Sequence, residues 1–320
     1  MALLKTLIFF FMLLAVPPAQ AQKAQWPQRP VRVIVPLAPG GSVDIVARLL
    51  ATRFSDEFGQ QFIVDNRAGG GGIIGTSIVA RAEPDGYTLL MISGAFASSA
   101  ALQKLPYDPL KSFTPIGKVA AGPLFLIVHP SVKAATLAEF LELARSKPGS
   151  LNYGSGGIGT TTHLATEYFQ QATGTRMTHV PYKGGGAALS DLLGGQLQVY
   201  LTPGAAVLSH VAAGRLRALA QTSERRLPTM PELPPVAEVA SGFSTTFPYA
   251  MVAPAGAPDA VVAQLNASIG RIVQQPAVLE RLRSYALEPA HSTPQALMRD
   301  VAREVAIWHK VVKAGDIKVD

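Results

Sequence analysis

The segment Val31-Arg32-Val33-Ile34-Val35 reads as a strand, stops at Pro36-Leu37-Ala38-Pro39-Gly40-Gly41, and restarts at Ser42 with apolar residues at helical spacing. A strand delivered through such a turn onto a helix belongs to a sheet covered by helices, so the chain is constrained to the α/β class. The junction also constrains chemistry. The first N–H groups of a helix have no intrahelical acceptor, and Gly40 and Gly41 remove the side-chain bulk in front of them. Such a turn can hold a carboxylate or phosphate directly on the main chain.

At the amino end, Lys5 precedes the apolar run Leu7 to Val16, and a small-residue stretch ends in Ala19-Gln20-Ala21. This is the pattern of a cleavable signal peptide over residues 1–21. The run is too short to span a bilayer comfortably and nothing comparable recurs, which argues against a membrane-embedded transporter. With no cysteine in the chain, disulfides, thiolate metal sites and a lipid-anchoring cysteine are all excluded. The expected location is the periplasm, free of a tether. The remaining stretch of about 299 residues suits one large or two ordinary domains.

The formal net charge is +7, but the basic residues are scattered and their longest cluster is Arg225-Arg226. A nucleic-acid groove needs a stripe of them with aromatics between, so no nucleic-acid partner is expected. The mild excess fits a surface tolerant of anionic ligands. Charged residues make up 15% of the chain against 29 Gly and 25 Pro, the composition of a compact fold with many short turns.

Strand-like and helical patterns alternate, the signature of a parallel sheet covered by helices. The segment Gln61 to Val64 leads to Asn66-Arg67 and the glycines Gly69 to Gly72, and Tyr87 to Ile92 ends at the small-residue loop Ser93-Gly94. A strand over Pro123 to Val128 leaves this first unit, and Thr136 caps the next helix. The second unit holds the loop Gly154 to Gly159, a helix from Thr160, the strand Thr178 to Pro181, and Lys183-Gly184-Gly185-Gly186. Two closing helices start at Pro258 and Pro294 and are expected to pack back on the first unit. The domains are thus residues 27–126 with 249–320, and 127–248.

Gly154-Ser155-Gly156-Gly157-Ile158-Gly159 matches G-x-G-x-x-G, yet a dinucleotide site is rejected on context. The preceding strand is weakly apolar, and no acidic residue sits about 20 positions on to hold a ribose. What survives is an anion site, with Ser155, Gly159, Thr160 and Thr161 at a helix start. The six histidines form no H-E-x-x-H pair, and no nucleophile elbow or P-loop is present, so neither metal nor cofactor is expected. His163, one turn into its helix, either lines a cleft or satisfies a helix turn. Asp44 fastens the glycine turn. Tyr182-Lys183 offers a phenol and an ammonium beside free amides.

Taken together these motifs resemble the substrate-binding proteins of tripartite tricarboxylate transporters, the Bug family. The resemblance rests on Pro39-Gly40-Gly41-Ser42 with Asp44 and Arg48, Asn66-Arg67 with its glycine run, and Pro84-Asp85-Gly86-Tyr87. It continues through Leu105-Pro106-Tyr107-Asp108-Pro109, Tyr153-Gly154-Ser155, Pro181-Tyr182-Lys183-Gly184 and Ala213-Gly214-Arg215-Leu216-Arg217. It implies a two-domain periplasmic binding protein of the flytrap type, with a ligand cleft between its domains, that delivers a small organic acid to membrane permease subunits. A monomer is expected. By this analogy Ala38, Pro39, Gly40, Gly41 and the loop Ser93, Gly94, Ala95 and Ser98 grip one end of the ligand. Ser155, Gly159, Thr160, Thr161, His163, Tyr182 and Lys183 grip the other.

Two departures from the family pattern matter. Gln198 and Thr202 stand where many relatives carry aspartates, the second facing the cleft; its loss argues against an amino-acid ligand and for a plain carboxylate. Phe247-Pro248-Tyr249-Ala250 lacks the usual tryptophan and glycine on the hinge-side wall. Two other functions remain open at this point. One is a receptor that presents its ligand to a membrane sensor kinase. The other is an exported α/β hydrolase using Ser155 and His163, which requires a base within hydrogen-bond reach of the nucleophile.

Overall fold

A computed structural model describes residues 26–314 and 317; the segment read as a signal peptide lies outside them. The expected first strand, β1 (Val31–Val35), lies between β2 (Phe62–Asn66) and β3 (Thr88–Ser93), both parallel to it. Val31, Val33, Ile34 and Val35 are wholly buried, because a central parallel strand is covered on both faces. Helix α1 (Ser42–Phe58) lays Val46, Leu50 and Phe54 against this sheet and stops at Gly59, whose φ of 67° only glycine adopts easily. Phe54, Phe58 and Phe62 close that end, with ring centroids 4.9 to 5.9 Å apart.

Helix α2 (Ile73–Ala80) follows the glycine run, and α3 (Ala95–Leu102) follows β3. Gly75 is glycine for space, since a Cβ there would sit 2.6 Å from the Arg67 carbonyl and 2.7 Å from the Pro36 Cα. The chain then enters β4 (Phe113–Val128), a 16-residue strand. The sequence marked only its second half, from Pro123, because Pro115 and Gly117 interrupt the alternation of the first; the register shifts between these two residues and again between Lys118 and Ala120.

The second half of the fold contains α4 (Leu137–Ser146), β5 (Asn152–Ser155), α5 (Thr161–Thr173), β6 (Thr178–Pro181) and α6 (Gly185–Leu193). It continues with β7 (Val199–Pro203), α7 (Gly204–Ala212) and β8 (Arg217–Gln221). Strands β5, β6 and β7 are mutually parallel. The chain returns along β9 (Thr246–Pro254) to α8 (Asp259–Ile272), α9 (Pro276–Arg283), β10 (Glu288–Pro289) and α10 (Pro294–Ala314). The sequence reading had two closing helices; α9 and β10 are additions, too short to give a periodic signal.

The parallel sheet expected from sequence is present within each lobe, and antiparallel strands join the two. Both strands that pass between the halves run antiparallel to their neighbours: β4 pairs β9 from Phe113 to Pro123, then β7 and β8 from Leu124. The result is a curled ten-stranded sheet in two lobes, each parallel at its heart. Helix α8 buries Leu265, Ile269 and Ile272, and α10 buries Leu297, Val301 and Trp308. Helix α10 rests on α3 and β4 and reaches α5 of the other lobe. Among the described residues no helix is long and apolar enough to cross a membrane.

Candidate ligand-binding cleft

Five strands end at the line between the lobes, and each hands the chain to a helix that starts there. Ligands of open α/β sheets bind at such carboxyl ends. One enclosed cavity is bounded by Ser42 and Val43 of α1, Ser93 and Ala95 at the start of α3, and Thr160 and Thr162 at the start of α5. Gly185 of α6 and Pro203 and Ala206 at the start of α7 complete the ring. Five helix N-termini therefore face one space, each equivalent to about half a positive charge. Leu37, Tyr200 and Phe247 supply apolar wall. The cavity volume between the closed lobes is about 20 Å³, room for one or two waters, so the lobes must stand further apart around any larger ligand.

Among the described residues no lysine or arginine lines this cavity, and the one acid that does, Asp44, is committed. Its Oδ2 accepts from Gly40 N and from Arg48 Nε, both at 3.0 Å. Arg48 Nη2 donates to Asn66 Oδ1 over 3.1 Å, and Asn66 Nδ2 donates to the Leu37 carbonyl over 3.1 Å. This chain of bonds braces the Pro36–Gly41 turn and accounts for the Asp44, Arg48 and Asn66 motif. Burial pushes the Asp44 carboxyl up, but the hydrogen bonds from Arg48 and Gly40 outweigh it and hold it below the usual range.

In the second lobe the glycine loop bonds mainly to itself. Gly156 N donates to Thr162 Oγ1 (2.9 Å), Gly157 N to Ser155 Oγ (3.1 Å), and Thr160 Oγ1 to the Gly157 carbonyl (2.7 Å). The anion donors left there are the first amides of α5, not those of the loop. Behind the loop, His179 is sandwiched between Tyr153, 4.8 Å away, and His163, 4.1 Å away. Gly159 N donates to His163 Nδ1 over 3.3 Å, so that nitrogen carries no proton. Burial lowers the His163 pKa to about 4, and burial together with His163 lowers that of His179 to about 3. Both rings are neutral at neutral pH.

Ser155 Oγ lies 2.7 Å from His179 Nε2, the base within reach that the hydrolase alternative demanded. Ser155 is nevertheless wholly buried and does not line the cavity. A base whose pKa is about 3 is far from the operating pH a general base needs. Among the described residues no group of three metal-ligating side chains is assembled.

The lobes touch along two seams beside the cavity. In one, Ala38 N donates to the Lys183 carbonyl over 3.2 Å. There a Cβ on Gly184 would stand 2.4 Å from Ala38 N, and one on Gly186 only 2.2 Å from the Pro39 carbonyl. In the other, Ser98 Oγ donates to the Gly159 carbonyl, and a Cβ on Gly71 would stand 2.3 Å from the Ile158 carbonyl. The cleft is closed.

Of the residues nominated from sequence, Ala38, Gly41, Ser93, Ala95, Thr160 and Thr202 line the cavity. Gly94, Ser98, Ser155, Gly159, Thr161 and His163 are buried but do not line it. Pro39, Gly40 and Lys183 are exposed, and the Tyr182 hydroxyl donates to Asp191 over 2.7 Å. Lining residues the sequence did not nominate include Ser42, Thr162, Pro203 and Ala206, while Phe247, set on the hinge-side wall by the resemblance, lines the cavity together with Tyr200. The signal for α7 was present in Pro203-Gly204, another strand end running into a glycine. Three buried polar atoms near the cleft, Asp44 Oδ1, Thr161 Oγ1 and Tyr249 OH, have no hydrogen-bond partner among the described residues; Asp44 Oδ1 is ion-paired with Arg48 Nη2 at 3.0 Å, and Thr161 Oγ1 faces Gly94.

Two lobes joined by crossing strands and closed over a cavity define the two-domain periplasmic solute-binding class, and solved structures that the chain resembles belong to it. A profile of the tripartite tricarboxylate transporter family receptor matches residues 46–317. The chain belongs to that family, the group that includes the Bug proteins. BugT of Bordetella pertussis is 36% identical over 298 residues, which cover 92% of this chain and 91% of BugT. Rpa4515 of R. palustris, solved with adipate, superposes with a TM-score of 0.89 at 36% identity, over 92% of this chain and 99% of that one. MatC of Rhodopseudomonas palustris, solved with bound malate, gives 0.84 at 31% identity, over 90% and 100%.

Proposed function

We propose that this protein is a periplasmic receptor that encloses a small organic acid carrying two carboxylates between its lobes and delivers it to the membrane permease of a tripartite transporter. The observation that carries the reading is the convergence of five helix N-termini on one enclosed cavity without a lysine or arginine in its wall. Main-chain amides of α1 and α3 hold one end of the ligand, and those of α5, α6 and α7 the other. Adipate and malate, bound to the two solved relatives, are acids of this kind.

The signal-peptide pattern over residues 1–21 supports a periplasmic location, where the receptor acts as a monomer. The hinge falls where β4 and β9 cross, with residues 27–126 and 249–320 moving against 127–248. Ligand capture stabilises the closed form, which the permease then reads.

Thermal unfolding of the refolded, ligand-free chain against a panel of mono-, di- and tricarboxylates and neutral sugars tests the reading. A ligand at about 100 times its dissociation constant adds roughly 2.7 kcal/mol, a shift of several degrees. Stabilisation by dicarboxylates alone is the expected result. Stabilisation by neutral solutes and by no acid overturns it.

A further inference from the structure

The receptor reading leaves open which acids the cavity accepts, and the balance of donors and acceptors around it decides one point. Four carbonyls in the bounding turns are already occupied. The Leu37 carbonyl takes Asn66 Nδ2 at 3.1 Å, and that of Gly41 takes Ile45 N at 3.1 Å. The Gly94 carbonyl takes Ser98 N at 2.9 Å, and that of Gly159 takes Ser98 Oγ at 2.6 Å. The Asp44 carboxylate, among the described residues the only negative side chain on the cavity, is held at Oδ2 by Gly40 N and Arg48 Nε and paired at Oδ1 with Arg48 Nη2. Donors remain in excess, because the first-turn amides of five helices have no intrahelical acceptor. Of the buried polar atoms near the cleft without a hydrogen bond among the described residues, Thr161 Oγ1 and Tyr249 OH are neutral hydroxyls, and Asp44 Oδ1 is neutralised by Arg48 Nη2 at 3.0 Å.

A ligand ammonium entering this space would meet the positive ends of five helices with no carboxylate free to neutralise it. A buried unpaired charge and like-sign juxtaposition are both strongly unfavourable. Resting on the receptor reading, we propose that the cavity discriminates against cationic substituents: it takes diacids whose chains bear hydrogen or hydroxyl and rejects their 2-amino counterparts. The hydroxyl-bearing side chains on the wall, among them Ser42, Ser93, Thr160 and Thr202, can bond a carboxylate or a ligand hydroxyl, and none carries a charge to compensate an ammonium.

The test is isothermal titration of the full chain, stripped by unfolding and refolded, with matched ligands at three lengths. These are succinate and malate against aspartate, glutarate and 2-hydroxyglutarate against glutamate, and adipate against 2-aminoadipate. At whichever length binds, the acid is expected to bind at least about 100-fold tighter than its amino counterpart. Succinate separates charge from shape, because it lacks both hydroxyl and ammonium. An amino diacid within about tenfold of its counterpart overturns the proposal while leaving the receptor reading intact. So does malate binding with succinate as weak as aspartate, because a missing hydroxyl contact would then explain the preference. Failure of every diacid at every length overturns the receptor reading and this proposal with it.

Discussion

Ser98 Oγ donates to the Gly159 carbonyl over 2.6 Å, tying helix α3 of one lobe to the glycine loop of the other in a wholly buried position. Ser99 Oγ reaches the same oxygen at 3.3 Å. This bond exists only when the cleft is shut. A hydrogen bond of this kind contributes about 1 kcal/mol, so Ser98→Ala is expected to weaken ligand binding by roughly five- to tenfold through a smaller closed fraction. The thermal midpoint of the unliganded protein should change little. Titration calorimetry beside thermal unfolding separates the two effects, and an unchanged affinity would remove Ser98 from the closing mechanism.

Gly186 offers a sharper contrast. It lies in the first turn of α6 at an ordinary helical φ, so alanine suits its backbone and raises helix propensity by up to about 1 kcal/mol. Across the seam, however, the added Cβ would stand 2.2 Å from the Pro39 carbonyl. Gly186→Ala is therefore expected to keep or raise the melting temperature of the unliganded protein while reducing affinity more than tenfold. Gly174 supplies the control: at φ 64° with nothing within 4 Å, its alanine variant loses about 1 kcal/mol of stability and binds normally. Equal affinity in Gly186→Ala and the wild type would show that the seam opens without consequence for binding.

The sequence revealed the parts of the cleft that depend on local chain chemistry. Strands ending in Pro39-Gly40-Gly41 and Ser93-Gly94 announce bare helix starts, and both turns line the cavity. It was less informative where two distant segments meet. Tyr200 and Phe247 form wall because β7 and β9 flank the long strand β4, a pairing no local pattern encodes. His179 carries no motif of its own, and only the β5–β6 register sets it beside Tyr153. Ser155, Gly159 and Thr160 read as anion donors because spacing alone does not show that Ser155 Oγ accepts from Gly157 N, that Gly159 N donates to His163 Nδ1, or that Thr160 Oγ1 donates to the Gly157 carbonyl.

Thr202, 1% exposed on the cavity wall, is the place to invert the charge preference. Thr202→Asp introduces a carboxylate beside the expected ligand end. Like-charge repulsion disfavours a dianion there, so affinity for the preferred diacid is expected to fall by at least about tenfold. The same carboxylate gives an ammonium a partner, and the ratio of amino diacid to diacid affinity should rise. Competition titrations measure that ratio directly. Unchanged diacid affinity would place Thr202 away from the bound carboxylates.

Acid should weaken the fold through the paired histidines. In the unfolded chain His163 and His179 protonate near 6.5, whereas in the native state burial delays this to about 4 and about 3. Between those values the unfolded state binds more protons, so stability falls as pH drops below about 6.5. Each histidine contributes up to about 1.4 kcal/mol per pH unit. Glu304 opposes them. Burial raises its carboxyl from 4.5 to about 7, with Asp300 adding to the shift and Lys118 and Arg303 working against it. The native state then holds the extra proton between those values, so its contribution is present at low pH and is lost as pH rises through about 7. Glu304→Gln is accordingly expected to raise the melting temperature at pH 8, leave it nearly unchanged at pH 5, and leave the histidine-driven acid limb in place. Melting curves from pH 4 to pH 8 check both signs. A variant stabilised equally at pH 5 and pH 8 would show that the gain does not come from removing a buried charge.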